Sequence, residues 1–345
     1  MYRLESSAKK YLWLLAGMIL LNAAMIIQTR FNIGIGQSFG EMRQGILGKV
    51  HIIFFSIILE ALPFVIMGVI GSMLLEAFVS PDVIRRLLPR LWLPGILISG
   101  GLGFLFPFCE CGLVPIVRRL MEKGVPAYLA AVFLLAAPVV NPVVGAATKF
   151  AFFAQPEMVY WRLGGAYLVA VLAGMALLPF WHRSVLLRQQ SSGHGQCGCG
   201  CSHSHHHMTG KIAGVLLHGQ EEFFSILRYL VIGACLAAFT QVFFPRDVLN
   251  MLGGHPEGSV ALMMGFAFLL SLCSGADAFV ASTFINTFSP GALLAFMVFG
   301  PMVDLKNVLM MRAAFKESFV IYLVALVTML SFILGVLINW SGVMA

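Results

Sequence analysis

Apolar residues run in long stretches along this chain, separated by short polar loops, and that spacing predicts membrane-spanning helices. Residues 11–27 form a first apolar span. A longer second one, 50–78, carries Glu60 just before Pro63. Residues 94–117 are Gly-rich and interrupted, and residues 126–148 and 159–182 span again. In the second half, 214–243, 291–311 and 318–340 have the same character, while 259–273 runs apolar into Ser271-Leu272-Cys273-Ser274-Gly275-Ala276-Asp277. One long polar segment, 183–213, is rich in Ser, Gly, His and Cys and reads as a flexible cytoplasmic linker. The pattern divides the chain into an N-terminal helix and loop (1–49), a first membrane repeat (50–182), the linker (183–213), and a second repeat with a C-terminal helix (214–345).

Several apolar stretches carry their own interruptions. Pro107 and Pro115 flank Cys109-Glu110-Cys111, Pro138 and Pro142 flank Asn141, and Pro301 precedes Asp304 and Lys306. Proline removes a backbone donor and clashes with the preceding turn, so each site is expected to break a helix. Inside hydrocarbon a broken backbone must find protein or water partners, so such segments line cavities. Basic residues lie on both sides of the first break, at Arg85, Arg86 and Arg90 before it and at Arg118, Arg119 and Lys123 after it. The positive-inside bias keeps both sets on one side, which favours a re-entrant hairpin with its tip at Cys109 to Gly112 over a single kinked span.

The two halves resemble each other at an offset of about 164 residues. Pro81 pairs with Pro245, Gly68 with Gly233, Cys109 with Cys273, Pro126 with Pro290, and Pro138-Val139-Val140-Asn141 with Pro301-Met302-Val303-Asp304. With a hairpin in each half, an odd number of spans separates the repeats, which inverts the second. The expected fold is an all-α polytopic membrane protein, two inverted repeats with broken or re-entrant helices meeting near the midplane.

Composition agrees. Of 345 residues, 59% are hydrophobic and 11% charged, which excludes an ordinary soluble domain. The net charge of +7 would suit nucleic acid, but the positives sit in short loops beside apolar segments, so the partner is the lipid bilayer and not nucleic acid. The run after Lys9 and Lys10 continues past the length of a signal core and reads as a span. No Gly-Lys-Ser/Thr phosphate loop is present, so the chain does not read as an ATPase. Nothing in the pattern fixes an oligomeric state.

Cys109 and Cys111 are the sharpest candidate chemistry: paired thiols favour a soft metal or metalloid. Cys273 sits at the equivalent position of the second half, beside Ser274, and offers a third sulfur. Glu110, Asp277 and Asp304 are costly at membrane depth and mark a substrate or proton path; Asn141 and Lys306 flank it. Because thiolates bind soft cargo and thiols release it, proton entry at these carboxylates would drive transport. In the linker, Cys197, Cys199, Cys201, His203, His205, His206 and His207 form a ligand-rich run suited to a zinc-like or softer ion. Its spacing matches no closed zinc finger, so it reads as a chelating or sensing segment. No other cofactor is required. Two further readings remain: a zinc-like permease served by the linker, and a membrane thiol–disulfide oxidoreductase using Cys109 and Cys111. The latter ranks lowest because so short a spacing makes a strained ring.

The motifs Pro-Phe-Cys-Glu-Cys-Gly-Leu-Val-Pro, Ala-Pro-Val-Val-Asn-Pro, Ser-Gly-Ala-Asp-Ala-Phe-Val-Ala and Gly-Pro-Met-Val-Asp-Leu-Lys together resemble a predicted bacterial permease family that includes organoarsenical efflux permeases (ArsP-like). The resemblance covers about residues 50–312. It implies a multi-span transporter rather than an enzyme and, for characterised members, export of trivalent organoarsenicals. On that resemblance Cys109 and Cys111 fall on the cysteine motif, and Asp277 and Asp304 on the second-half motifs. Gly275 stands where a Glu or other polar residue is expected.

Overall fold

The computed structural model describes residues 46–78, 92–105, 109–180, 208–243 and 256–342, and within them every regular element is helical. The chain divides into two compact units, Met1–Ile52 and Ile53–Ala345. Of the first, only the opening of one helix is described. The expected span at 11–27 and the basic loop at Arg85 to Arg90 lie outside the described residues, as do Pro107 and all seven Cys and His ligands of the linker.

The first half contains α1 (Ile46–Phe78), α2 (Trp92–Leu105), α3 (Glu110–Glu122), α4 (Ala127–Ala136), α5 (Pro142–Ala151) and α6 (Glu157–Ala176). The second contains α7 (Met208–Phe243), α8 (Pro256–Leu270), α9 (Ala276–Ser282), α10 (Pro290–Met302), α11 (Leu305–Ala314) and α12 (Glu317–Ser341). Five helical segments among the described residues are long and apolar enough to cross a membrane: Gly48–Glu76, Glu157–Ala176, Gly219–Phe243, Pro290–Ala314 and Glu317–Ser341. This is a multi-pass membrane protein. Its exposed surface is correspondingly apolar, with Leu59, Phe150, Phe153 and Trp340 facing outward.

The core is built on α4 and α10. Every residue of α4 is buried, and so is nearly all of α10, as expected for helices apolar on all faces. Around α4 pack α2, α3 and α6; around α10 pack α8, α9 and α12. The contacts fix direction. Ser99 Oγ donates to Leu129 O at 2.8 Å and Gly103 lies against Ala137, so α2 and α4 run parallel. Only residues 123–126 separate α3 from α4, so α3 must return the chain to the end where α2 began. The same holds in the second half. The Ser259 and Ser289 hydroxyls meet at 3.2 Å and Phe266 lies on Phe296 with centroids 6.0 Å apart, so α8 and α10 run parallel and α9 returns. Each half thus contains a helix–break–helix hairpin.

Between halves, α6 and α12 pack antiparallel: Gly165 lies against Leu334, and Tyr322 Oη donates to Ala176 O at 3.5 Å. Lipid gives little hydrophobic drive for helix association, so close packing matters more. Two glycine pairs supply it. A Cβ on Gly68 of α1 would collide with the Gly112 carbonyl of α3, and one on Gly291 of α10 with the Gly335 carbonyl of α12.

Two sequence expectations need correction. Pro115 does not break its helix; α3 runs through it, having started at Glu110 after its extended N-cap Cys109. The lost donor would have bonded the Cys111 carbonyl, a single bond near the helix start, where partners are already few. Pro301 likewise lies inside α10, and the break follows it at Val303–Asp304. Pro138 lies in the turn after α4, and Pro142 opens α5 as its first residue, where a missing N–H costs least.

Candidate functional site

The breaks expose helix N-termini, and each start is occupied by a polar side chain. Asn141 caps α5 by accepting from Val144 N at 2.9 Å, while its Nδ2 donates to Ala137 O at 3.3 Å and Pro138 O at 3.4 Å. Asp304 caps α11 by accepting from Asn307 N at 2.5 Å. Glu110 stands in the first turn of α3 and Asp277 in the first turn of α9, where the helix dipole favours negative charge. Asn141 and Asp304 therefore do the same work in the two halves, each satisfying the backbone that its break frees.

Across the halves, each hairpin is tied by one buried cation. Lys306 Nζ donates to Glu110 Oε1 at 3.2 Å and lies 3.8 Å from Asp304 Oδ2. All three residues are at most 4% exposed. Glu110 Oε2, Asp304 Oδ2 and Asn307 Oδ1 are buried without a hydrogen-bond partner. Two carboxylates thus share one ammonium.

The second hairpin is held differently. Arg162, fully buried on α6, donates through Nη2 to both oxygens of Asp277 and to Ser274 O, each at 2.8 Å. Its Nη1 donates to Thr148 Oγ1 at 2.8 Å, and that hydroxyl donates on to Val144 O in the first turn of α5. Asp277 also lies within electrostatic range of Glu110.

Cys109 and Cys111 flank Glu110. Cys109 is the N-cap of α3 and half-buried; Cys111 is buried, its thiol within hydrogen-bonding range of Cys109 and within electrostatic range of Lys306 and Glu110. Cys273 has its thiol within hydrogen-bonding range of the Glu60 carboxyl of α1. Among the described residues no three His, Cys, Asp or Glu side chains converge as a metal-ligand group, so the third sulfur does not complete a closed site with Cys109 and Cys111. In the hairpin turn, Ser271 has a left-handed backbone with φ of 48°, unusual for a residue with a side chain and a mark of local strain.

Arg162 and Thr148 escape the sequence reading. Arg162 lies close to the start of an apolar span, where an arginine reads as an interfacial anchor; the rule that intramembrane charges are functional would have singled it out. The basic set Arg118, Arg119 and Lys123 also changes character. The two arginines belong to α3 rather than to a loop, and they are ion-paired to Glu76, Glu122 and Glu222.

Residues 46–340 match the model of a family described as "Predicted permease". The chain belongs to this permease family. It is 42% identical over 282 residues to "UPF0718 protein YcgR" of Bacillus subtilis (strain 168), covering 82% of this chain and 94% of the relative. It is 40% identical over 272 residues to "Putative two-component membrane permease complex subunit" of Streptococcus mutans serotype c, covering 79% of this chain and 89% of the relative. No solved structure matches. Family and streptococcal relative are named for permeation, not for an enzymatic reaction.

Proposed function

We propose that this permease exports a thiophilic metalloid species of the trivalent organoarsenical type across the bacterial inner membrane. The observation that carries the reading is the pair of adjacent thiols, Cys109 and Cys111, at a helix break beside a buried charged centre. Two thiols can take a soft trivalent centre while leaving its organic substituent free. Cys273 with Ser274, on the opposite hairpin, is a second station along the path. Glu110, Asp277 and Asp304 carry the coupling protons, with Asn141 and Lys306 setting the site's geometry and charge.

The fold proposed is a pair of inverted repeats, 50–182 and 214–345, joined by the 183–213 linker on the cytoplasmic side. Its support is the matching helix order of the two halves and the antiparallel packing of α6 on α12, which hold equivalent places in their halves. The hairpins are then re-entrant, with their breaks near the midplane, the arrangement that alternating access uses in many transporters. The linker's Cys and His residues would gather a zinc-like ion at the cytoplasmic face. The name of the streptococcal relative supports one more element, a second membrane subunit as partner.

The test is accumulation of trivalent methylarsenic in everted vesicles, with and without a proton gradient. Wild type should accumulate it and Cys109→Ala/Cys111→Ala should not, while deletion of 194–207 should leave accumulation intact. Accumulation of zinc alone, abolished by that deletion, would replace the cargo.

A further inference from the structure

Helix α3 leads from the paired cysteines toward the mouth of its hairpin, and α11 runs beside it in the same direction. Glu110 meets Lys306 at one end, and Pro115 and Arg118 share a cleft with Ala313 and Ala314 further along. The third wall of that cleft is α7, through Glu222 and Ser225. The cleft therefore lies between the two helices that carry the charged centre, about a turn beyond Cys111.

Two of its lining residues, Arg118 and Glu222, belong to a cluster of ion pairs. Arg119 pairs with Glu76 of α1 at 3.1 Å, with Glu122 of its own helix at 2.9 Å and with Glu222 of α7 at 3.5 Å. Glu222 also accepts from Ser72 of α1 at 3.0 Å, and Lys123 donates to the Glu76 carbonyl at 3.0 Å. Arg118 pairs with Glu122 at 3.0 Å. Three basic and three acidic side chains thus join α1, α3 and α7. The Arg119–Glu222 contact is the loosest: an ion pair without a hydrogen bond, with Arg119 Nε left unpartnered.

The second hairpin has nothing comparable among the described residues. At the repeat offset, Arg118 and Arg119 correspond to Ser282 and Thr283. These hydroxyls donate only to their own helix, at Phe279 O (2.8 Å) and Val280 O (2.7 Å). One hairpin mouth is bolted by charge and the other is not.

We infer that the cleft between α3, α7 and α11 is the passage from the paired cysteines to the side of the first hairpin's mouth, and that Arg119–Glu222 is its gate, closed in this structure. The inference rests on the permease reading and adds the route and its bolt. An ion pair suits a gate because it can part without repacking an apolar core, and this one is the longest of the cluster.

The test is the labelling rate of Ser225→Cys by an impermeant thiol reagent, in the full chain in proteoliposomes, read peptide by peptide in a mass spectrometer. Glu222→Gln and Arg119→Gln should each speed labelling roughly tenfold, the change that about 1.4 kcal/mol in the open–closed balance produces. Arg228→Gln, elsewhere on α7, should leave the rate unchanged. In a separate background, oxidising Ser72→Cys/Glu222→Cys should slow labelling of an Ala313→Cys reporter relative to the reduced protein, and this arm decides if the charge variants do not fold. Unchanged rates in folded gate variants, an equal rise in Arg228→Gln, or no effect of oxidation would overturn the gate. Because labelling needs no cargo, a gate that opens while no arsenical moves discards the cargo and keeps the passage; the reverse result discards the gate.

Discussion

Arg162 ties together three buried polar groups. One guanidinium satisfies Asp277, the Ser274 carbonyl and Thr148 with no solvent to replace it. Removing one partner of a buried pair leaves an uncompensated charge, which costs roughly 3–5 kcal/mol. Arg162→Ala should lower unfolding stability in detergent by about that amount, and Arg162→Ala/Asp277→Ala should recover more than half of it. Arg162→Lys should rescue poorly, because one ammonium cannot reproduce the planar fork. Lys306→Met should be costlier than its count of contacts suggests, since it strands both Glu110 and Asp304; adding Glu110→Gln should restore part of the loss in the same unfolding measurement. The carboxylates were legible from sequence as charges misplaced in apolar runs. Their partners were not, because Lys306 meets Glu110 across 196 positions and Arg162 meets Asp277 across 115.

At the scale of elements, the breaks were legible wherever the sequence supplies a new helix start, and were misjudged where it supplies proline alone. Asn141 followed by Pro142, and Asp304 two residues after α10 ends, each begin a helix with a side-chain cap. Pro115 has no such start beside it, and its helix tolerates it as one lost bond; Pro301 stands one residue inside the end of α10, and the break comes at the new start that Asp304 supplies. Asn141→Ala should therefore destabilise by about 0.5–2 kcal/mol, and Asn141→Asp should not rescue it, since the buried carboxylate keeps the acceptor for Val144 N but loses the Nδ2 donor to Ala137 O and Pro138 O. Pro115→Ala should be close to neutral for stability by thermal unfolding, since it restores a backbone donor that the Cys111 carbonyl can accept. A loss above about 3 kcal/mol, the scale of a helix-breaking proline, would mean that Pro115 shapes the hairpin after all.

For the whole molecule, one relation organises the rest: α6 of the first half and α12 of the second run in opposite directions where they touch. If α6 and α12 are antiparallel, the start of α6 and the end of α12 share a face of the membrane. A cysteine at Gln155 and one at Ser341 should then react with an impermeant reagent from the same side, and cysteines at Leu178 and Glu317 from the opposite side. Contact along the pair gives a second check. Gly165→Cys/Leu334→Cys should form a disulfide, and Gly165→Cys/Tyr322→Cys should not, because Tyr322 lies near the far end of α6, at Ala176. Parallel halves would place all four labelling sites differently and would favour the second disulfide over the first. The crossed ties give the opposed arrangement a mechanical meaning. Each hairpin is anchored on helices of the other half, through Glu110–Lys306 on one side and Asp277–Arg162 on the other. A movement of one half against the other therefore pulls on both hairpin tips at once. Of the two ties, that of Glu110 shares its cation with a second carboxylate, so Lys306 keeps a partner for its own charge if it shifts toward Asp304, whereas Arg162 has no second carboxylate among the contacts it makes.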